Sequence, residues 1–169
     1  MSQKRIQLTL FIDENKSEAI EKIRKEFNPE QYGLIKSHVT LCREDELESV
    51  EIAMQNLGKL NYSWITIDFG AAVRFSKGKG VLIPSYGDNE QFHQLRGFIL
   101  KGTTKNPQWY EPHITLMHPR NSTCTDGIFQ QIEKVGLPVK LTFRKVSLIE
   151  QEEKSKWNVL KEYELKAVL

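Results

Sequence analysis

The sequence of 169 residues predicts an α+β fold, a bilobal domain with a pseudo-two-fold duplication and two antiparallel-rich sheets backed by helices around a central cleft. Strand and helix patterns follow the order β-α-β-α-β twice, with one more strand near the end. A four-residue motif occurs once in each half. No stretch rich in Pro, Gly or Ser separates the halves, so we expect a single domain over residues 1–169.

The first half begins with a strand over residues 5–12, in which apolar side chains alternate with polar ones. A helix capped at Asn15 follows and ends at residues 28–29, because a proline disfavours helical backbone at the residue before it. The first motif strand is predicted over residues 37–43. Apolar residues at helical spacing then predict an amphipathic helix over residues 47–57.

Two strands and a helix connect this part to the second motif. Residues 64–75 alternate as one strand and form a hairpin with residues 81–86 across a Gly- and Lys-rich turn. Asp88 or Asn89 opens a helix that ends near Gly102.

The second motif strand begins a similar series of elements. A capping box at Thr123 and Asp126 predicts the start of the next helix. The last segment alternates as two long strands, residues 139–150 and 157–168, which form a hairpin.

The motif itself is His-x-Thr-Leu, at residues 38–41 and 113–116. Side chains alternate faces along a strand, so His38 and Thr40 share one face, and His113 and Thr115 do the same in the second copy. The chain has only four histidines, so composition does not explain a repeat of His, Thr and Leu at fixed spacing. Each motif strand therefore combines a polar face with an aliphatic face, which suits a strand that lines a cleft.

Two histidines that face one phosphodiester fit a known chemistry. Neutral imidazole accepts a proton and imidazolium donates one near neutral pH, so the pair can act as general base and general acid. Each threonine hydroxyl can bind a non-bridging phosphate oxygen and hold the phosphorus in line. This scheme needs no metal.

The paired motifs resemble those of the 2H phosphoesterase superfamily, in the branch of 2′-5′ RNA ligase-like and cyclic nucleotide phosphodiesterase proteins. Pro112, directly before the second motif, is also typical of that branch. The resemblance covers nearly the whole chain and implies a pseudo-symmetric bilobal α+β architecture. It implies His38 and His113 as the catalytic residues, with Thr40 and Thr115 as contacts to the substrate phosphate.

Two further residues are predicted to bind substrate, each with a plainer alternative. Arg43 lies where members of the family often carry a basic residue, and a guanidinium binds phosphate well, but it is also a common surface group. The second copy of the motif has His118 at the matching position, so we do not transfer the role to His118. Tyr110 and its neighbour Trp109 can stack on a base, although core packing is the commoner role for aromatic residues.

The remaining histidines do not suggest a metal site. His93 lies one step off an apolar helical stripe and is expected at a solvated rim. His118 lies five residues after His113, which gives it the opposite strand parity, so a metal pair is not expected. We predict no metal and no cofactor.

Composition excludes several classes of protein. The formal net charge of +2 excludes a strongly cationic surface that coats nucleic acid, but permits a local basic patch. Two cysteines are too few for a secreted disulfide scaffold and indicate reduced thiols. The N-terminus lacks an apolar signal core, and no stretch approaches the ~20 apolar residues of a membrane span. We therefore expect a cytoplasmic protein, monomeric by default and without a membrane partner.

The sequence favours a metal-independent phosphodiesterase that acts on 2′,3′-cyclic phosphate or on 2′-5′-linked RNA ends or nucleotides. An alternative is a module that binds nucleotides or RNA ends in the same cleft without turnover. A structural protein with coincidental motifs is a third possibility. The physiological substrate, the direction of the reaction and the assignment of acid and base to the two histidines stay open at this point.

Overall fold

The computed structural model describes residues 2–167, and Val168, the last residue of the final predicted strand, lies outside them. The strands are β1 (Lys4–Phe11), β2 (His38–Cys42), β3 (Ile65–Asp68), β4 (Val73–Phe75), β5 (Gly80–Pro84), β6 (His113–Met117), β7 (Lys140–Phe143), β8 (Lys145–Glu152) and β9 (Asn158–Glu164). The α-helices are α1 (Glu18–Phe27), α2 (Pro29–Leu34), α3 (Val50–Leu57), α4 (Glu90–Leu100) and α5 (Asp126–Glu133).

The strands form two antiparallel sheets of unequal size. The large sheet has seven strands in the order β4-β5-β6-β2-β1-β8-β9, and the small sheet pairs β3 with β7. The α+β class is confirmed, with the two motif strands, β2 and β6, side by side near the centre of the large sheet.

The duplication is visible in the topology. The series β1-α1-β2-α3-β3-β4 is repeated as β5-α4-β6-α5-β7-β8, and the equivalent strands β2 and β6 pair with each other, as do β3 and β7. On either side of the central pair, β1 flanks β2 and β5 flanks β6. The two histidine motifs therefore meet across the approximate two-fold axis of the sheet.

Two predicted long strands are each split, at equivalent places in the two halves. The predicted strand 64–75 is β3 and β4, and the predicted strand 139–150 is β7 and β8. In each case the first piece joins the small sheet and the second joins the large sheet. In residues 64–75 the alternation continues across the break, so the pattern does not show that the strand changes partners. In residues 139–150 the apolar positions shift from odd to even numbers after Phe143, which coincides with the break.

Helix starts also differ from the prediction. A short 3-10 turn covers Glu14–Lys16, and α1 begins at Glu18, so Asn15 is not its cap. The first helix ends at Phe27, in agreement with the predicted stop, and Pro29 then begins the separate short helix α2, since its fixed φ and missing N–H are tolerated in a first turn. The cap of α5 is Thr125, whose hydroxyl accepts the Ile128 N–H at 3.2 Å, in place of the predicted Thr123.

The core lies between one face of the large sheet and the helices. Val39 and Leu41 on β2 and Ile114 on β6 are fully buried, and α1 contacts β6 while α4 contacts β2. The opposite face of both motif strands is only partly buried. That face is where the sheet leaves a cleft. Both cysteines are buried free thiols, and no helix within the described residues is long and apolar enough to cross a bilayer.

Candidate active site

The pairing of β2 with β6 brings the two motifs into one cluster. Val39 pairs with Ile114 in the antiparallel register, and both side chains point into the core. One step along each strand, His38 therefore lies opposite Thr115 and Thr40 lies opposite His113, all on the other face. The two histidines occupy diagonal corners of this square, where neighbours lie about 7–8 Å apart, within reach of a single phosphate group.

This cluster forms the floor of a cavity of about 480 Å³. The side chains that the sequence predicted to bind or transform substrate line it, with the exception of Trp109, and several others contribute to its walls. The lining residues are Arg5, Gln7, Arg24, Gln31, Ile35, His38, Thr40, Arg43, Glu44, Asp45, Tyr110, His113, Thr115, His118, Arg120 and Trp157.

Each motif histidine is held by a backbone carbonyl two residues earlier in the chain. His38 Nδ1 lies 2.7 Å from the Lys36 carbonyl oxygen, and His113 Nδ1 lies 3.1 Å from that of Glu111. A carbonyl oxygen only accepts, so Nδ1 carries the proton in both neutral rings and donates it. The lone pair is then on Nε2, the atom available for acid–base chemistry.

The surroundings of both imidazoles favour the neutral form. Burial lowers the pKa of His38 to about 4, and the positive charges of Arg24 and His113 act in the same direction. Burial also lowers the pKa of His113, with a contribution from the nearby Arg43 guanidinium. A histidine with a lowered pKa is deprotonated at neutral pH and can accept a proton from a nucleophile.

The two threonine hydroxyls have different surroundings. Gln7, on β1, donates from Nε2 to Thr40 Oγ1 at 3.3 Å and to Thr9 Oγ1 at 2.8 Å. An accepted hydrogen bond leaves the Thr40 hydroxyl proton free to point elsewhere, including toward a phosphate oxygen. Thr115 Oγ1 makes no hydrogen bond within residues 2–167, so its hydroxyl is not oriented in this way.

A buried ion pair supports the wall of the cleft behind the motifs. Arg96, on α4, bonds Glu46 through both guanidinium nitrogens, at 2.6 and 3.0 Å, and the two side chains are 5% and 2% exposed. Arg96 also donates to the Gln108 carbonyl at 2.6 Å and to the Tyr110 hydroxyl at 2.7 Å. Burial by itself would raise the pKa of Glu46, but its hydrogen bonds with Arg96 lower it, so the carboxylate stays ionised.

Tyr110 reaches the cleft but is tied to the protein at both its hydroxyl and its ring. Its hydroxyl donates to the Leu41 carbonyl at 2.8 Å, and the Arg43 guanidinium lies 4.4 Å from its ring centroid. Burial raises the pKa of this phenol. This stacking holds Arg43 at the cleft wall. Since β2 ends at Cys42, the alternation of side chains along the strand no longer determines on which face Arg43 lies.

The first half has a corresponding anchor. Arg24, on α1, is 2% exposed, donates to the Ile35 carbonyl at 2.7 Å and pairs with Glu21. Glu21 also accepts the Ser37 N–H at 3.4 Å. Arg24 thus fixes the loop that carries the Lys36 carbonyl and with it the ring of His38.

Several cleft residues are absent from the sequence-based prediction. Arg5 and Gln7 lie on the face of β1 opposite the buried Leu8 and Leu10. This alternation could have indicated that the two polar residues line the cleft. His118 lines the cleft although its parity predicted otherwise, because β6 ends at Met117. Its Nδ1 accepts the Arg120 N–H at 3.1 Å, and burial lowers its pKa.

His93 and Trp109 lie outside the cavity lining. The His93 ring stacks on Trp109 with 3.8 Å between centroids, and Glu111 contacts the His93 Nε2 atom at 3.3 Å. Within residues 2–167 no group of three or more His, Cys, Asp or Glu side chains is arranged to hold a metal ion.

Comparison with known proteins gives a family match over most of the chain. The sequence model of the 2′-5′ RNA ligase superfamily matches residues 12–155. The Staphylococcus haemolyticus (strain JCSC1435) protein named "Putative phosphoesterase SH1944" is 24% identical over 170 residues, which cover 95% of this chain and 98% of that protein.

Solved structures show the same fold. Apo LigT of E. coli matches with a TM-score of 0.68 and 14% identity, covering 98% of this chain and 99% of LigT. E. coli LigT complexed with 3′-AMP matches with a TM-score of 0.67 and 17% identity over the same shares of the two chains. The protein TT0787 of Thermus thermophilus matches with a TM-score of 0.60 and 15% identity, covering 98% of this chain and 100% of that one.

Proposed function

Because the chain belongs to the 2′-5′ RNA ligase superfamily of 2H phosphoesterases, we propose that its cleft is the active site of a metal-independent phosphodiesterase. The substrates in this proposal are 2′,3′-cyclic phosphates or 2′-5′-linked RNA ends or nucleotides. The observation that carries it is the β2–β6 register, which sets two carbonyl-anchored histidines at diagonal positions around one phosphate-sized space.

In the hydrolytic direction we assign the base to His38. Its pKa is lowered to about 4, so Nε2 is unprotonated at the pH where the enzyme would work. His38 takes a proton from water as the water oxygen bonds to phosphorus. The negative charge of a bound phosphate favours the protonated form of His113, which gives a proton to the ribose oxygen as the bond from that oxygen to phosphorus breaks.

The other cleft groups bind the phosphoryl oxygens. The Thr40 and Thr115 hydroxyls lie on the same face as the histidines, one beside each, and donate to non-bridging oxygens whose charge grows in the transition state. Arg43, held against the Tyr110 ring, adds a fixed positive charge at the cleft wall. The complex of E. coli LigT with 3′-AMP supports a nucleotide as the ligand of this fold.

Hydrolysis of the four 2′,3′-cyclic nucleotides in EDTA, by wild type, His38→Ala and His113→Ala, tests the proposal. We expect turnover in chelator and a loss of about 100-fold or more in each variant. The position of the phosphate in the product identifies the ribose oxygen that leaves. Absence of turnover with tight binding of nucleoside monophosphates would contradict catalysis and favour the binding module.

A further inference from the structure

The Glu111 carboxylate lies outside the cleft lining and is bound by three side chains. Asn89 Nδ2 donates to it at 2.8 Å, Trp109 Nε1 at 3.2 Å and His93 Nε2 at 3.3 Å. His93 lies on α4 and Asn89 directly precedes that helix, so these bonds tie residue 111 to the start of α4. The hydrogen bond from Asn89 contributes most to lowering the pKa of Glu111, so the carboxylate is ionised at neutral pH.

The backbone of the same residue holds the imidazole of the second motif. The Glu111 carbonyl oxygen accepts the Nδ1 proton of His113 at 3.1 Å. Only Pro112 separates the two residues, and it is buried, with its φ restricted by the pyrrolidine ring. Few free torsions therefore remain between the Glu111 carboxylate and the His113 imidazole, so the bonds to the carboxylate influence the position of the ring.

The segment that carries this carbonyl is held by side chains at both ends. Residues 107–112 belong to neither a helix nor a strand. At one end, the Gln108 carbonyl accepts from Arg96 at 2.6 Å, and the Gln108 N–H donates to Glu46 at 3.1 Å. At the other end, the Glu111 carboxylate binds the start of α4. These side-chain bonds therefore fix a segment that no sheet pairing fixes.

The first half of the chain shows why the second half needs this additional contact. Directly before His38, the Ser37 N–H donates to the carboxylate of Glu21 at 3.4 Å. The residue at the matching position of the second half is Pro112, which has no N–H to donate. An anchor like that of Glu21 is therefore impossible there, and the carboxylate one residue earlier in the chain takes its place.

We propose that Glu111 is a positioning residue for His113. Its carboxylate, held by the three donors, directs the Glu111 carbonyl toward Nδ1 and so keeps Nε2 of that imidazole facing the substrate phosphate. The inference rests on the proposed function and adds to it a residue that does not touch the substrate. The orientation of a general acid determines how readily it reaches the leaving oxygen, so the effect is on the chemical step and not on substrate binding.

Nitrogen NMR of the imidazole rings and steady-state kinetics of Glu111→Ala test the proposal. In the wild type we expect the neutral His113 ring to carry its proton on Nδ1, as a carbonyl acceptor requires. In the variant the His113 spectrum should shift toward a mixture of the two neutral tautomers, while that of His38 stays unchanged. With a 2′,3′-cyclic nucleotide as substrate, kcat should fall about 10-fold with little change in KM.

Two further variants sharpen the test. His93→Phe removes one of the three donors but keeps a ring stacked on Trp109, and we expect kcat to fall about 3-fold. Glu14→Gln is the matched control, because Glu14 is also an exposed carboxylate and binds the side chain of Lys36, the residue two before His38, at 2.8 Å. Its kcat and both imidazole spectra should equal those of the wild type, since the loop of the first half has its own buried anchor.

The spectra separate this inference from the proposed function. If the wild type turns over no cyclic substrate, the phosphodiesterase proposal fails, but a tautomer shift confined to His113 in Glu111→Ala still supports the positioning role. A fall in kcat with an unchanged His113 spectrum would overturn that role, because Glu111 would then act by another route. An unchanged kcat together with an unchanged spectrum would overturn it as well.

Discussion

In the first half of the chain, His38 is held by the Lys36 carbonyl in a loop fixed by Arg24 of α1; in the second half, His113 is held by the Glu111 carbonyl in a loop fixed by Arg96 of α4. The same construction occurs twice because the chain repeats the same series of elements. In both halves a buried guanidinium bonds backbone carbonyls and so sets the position of a histidine ring.

The halves differ in how deeply these anchors are buried. The Arg96–Glu46 pair is almost fully enclosed, whereas the Glu21 side chain that pairs with Arg24 is 22% exposed. They differ also beside the histidines, since the first half adds Gln7 next to Thr40. The comparison indicates that the two histidines and two threonines are arranged nearly symmetrically, whereas the ion pairs that hold them and the side chains beside them differ between the halves.

The largest expected effect comes from breaking the symmetric part. His38→Ala and His113→Ala should each lower kcat/KM by a factor of about 10² to 10⁴, because each removes one proton-transfer group. The kcat/KM of the double variant should be little lower than that of the less active single variant, since the two groups act as a unit. Steady-state kinetics on a 2′,3′-cyclic nucleotide measures this. A double variant whose loss equals the product of the two single losses would show that the histidines act independently.

The next effect separates the two anchors. Glu46→Gln should lower the free energy of unfolding by about 3–5 kcal/mol, because it leaves the Arg96 charge buried without its partner. Glu21→Gln should cost less, because water reaches that carboxylate. Urea denaturation of both variants measures the difference. Equal losses would contradict the view that the second half depends more on its buried pair.

A smaller effect distinguishes the two threonines. Thr40→Val should lower kcat/KM by about 100-fold and Thr115→Val by about 10-fold, because Gln7 leaves the Thr40 hydroxyl oriented to donate and no residue among 2–167 does the same for Thr115. Gln7→Leu should bring the effect of Thr40→Val down toward that of Thr115→Val. A larger loss in Thr115→Val would mean that this orientation does not matter.

The motif strands could be predicted from the sequence because a period of two residues is a local property. His38 and Thr40 have to share a face of any regular strand, and so do His113 and Thr115. The pairing of the two strands followed from the repeat. The place where the first predicted long strand splits could not be predicted, since a change of partner leaves the alternation of Ile65, Ile67 and Phe69 intact. In the second, the change of phase after Phe143 was a signal for the break.

The sequence contained an indication that the two anchoring arginines are buried, but arginine is usually exposed, so it was not recognised. Arg24 lies four residues after the buried Ile20, and Arg96 lies four residues after the buried Phe92, so both are on the apolar stripes of their helices. From sequence alone, an arginine at such a position is interpreted as lying at the edge of the apolar stripe, exposed to solvent. It is buried when the fold supplies a partner, and Glu46 is distant from Arg96 in sequence, so only tertiary structure identifies the pair.

The central claim is that two imidazoles carry the acid–base chemistry, and the pH profile of kcat/KM in EDTA tests it most directly. In the free enzyme the base must be unprotonated and the acid protonated, and the pKa of both histidines is lowered from 6.5, to about 4 for His38. The account therefore predicts a bell-shaped profile, in which kcat/KM rises with pH as His38 loses its proton and falls at higher pH as His113 loses its own. A profile that is flat from pH 5 to 8, or that rises steadily toward alkaline pH, would contradict two-histidine catalysis.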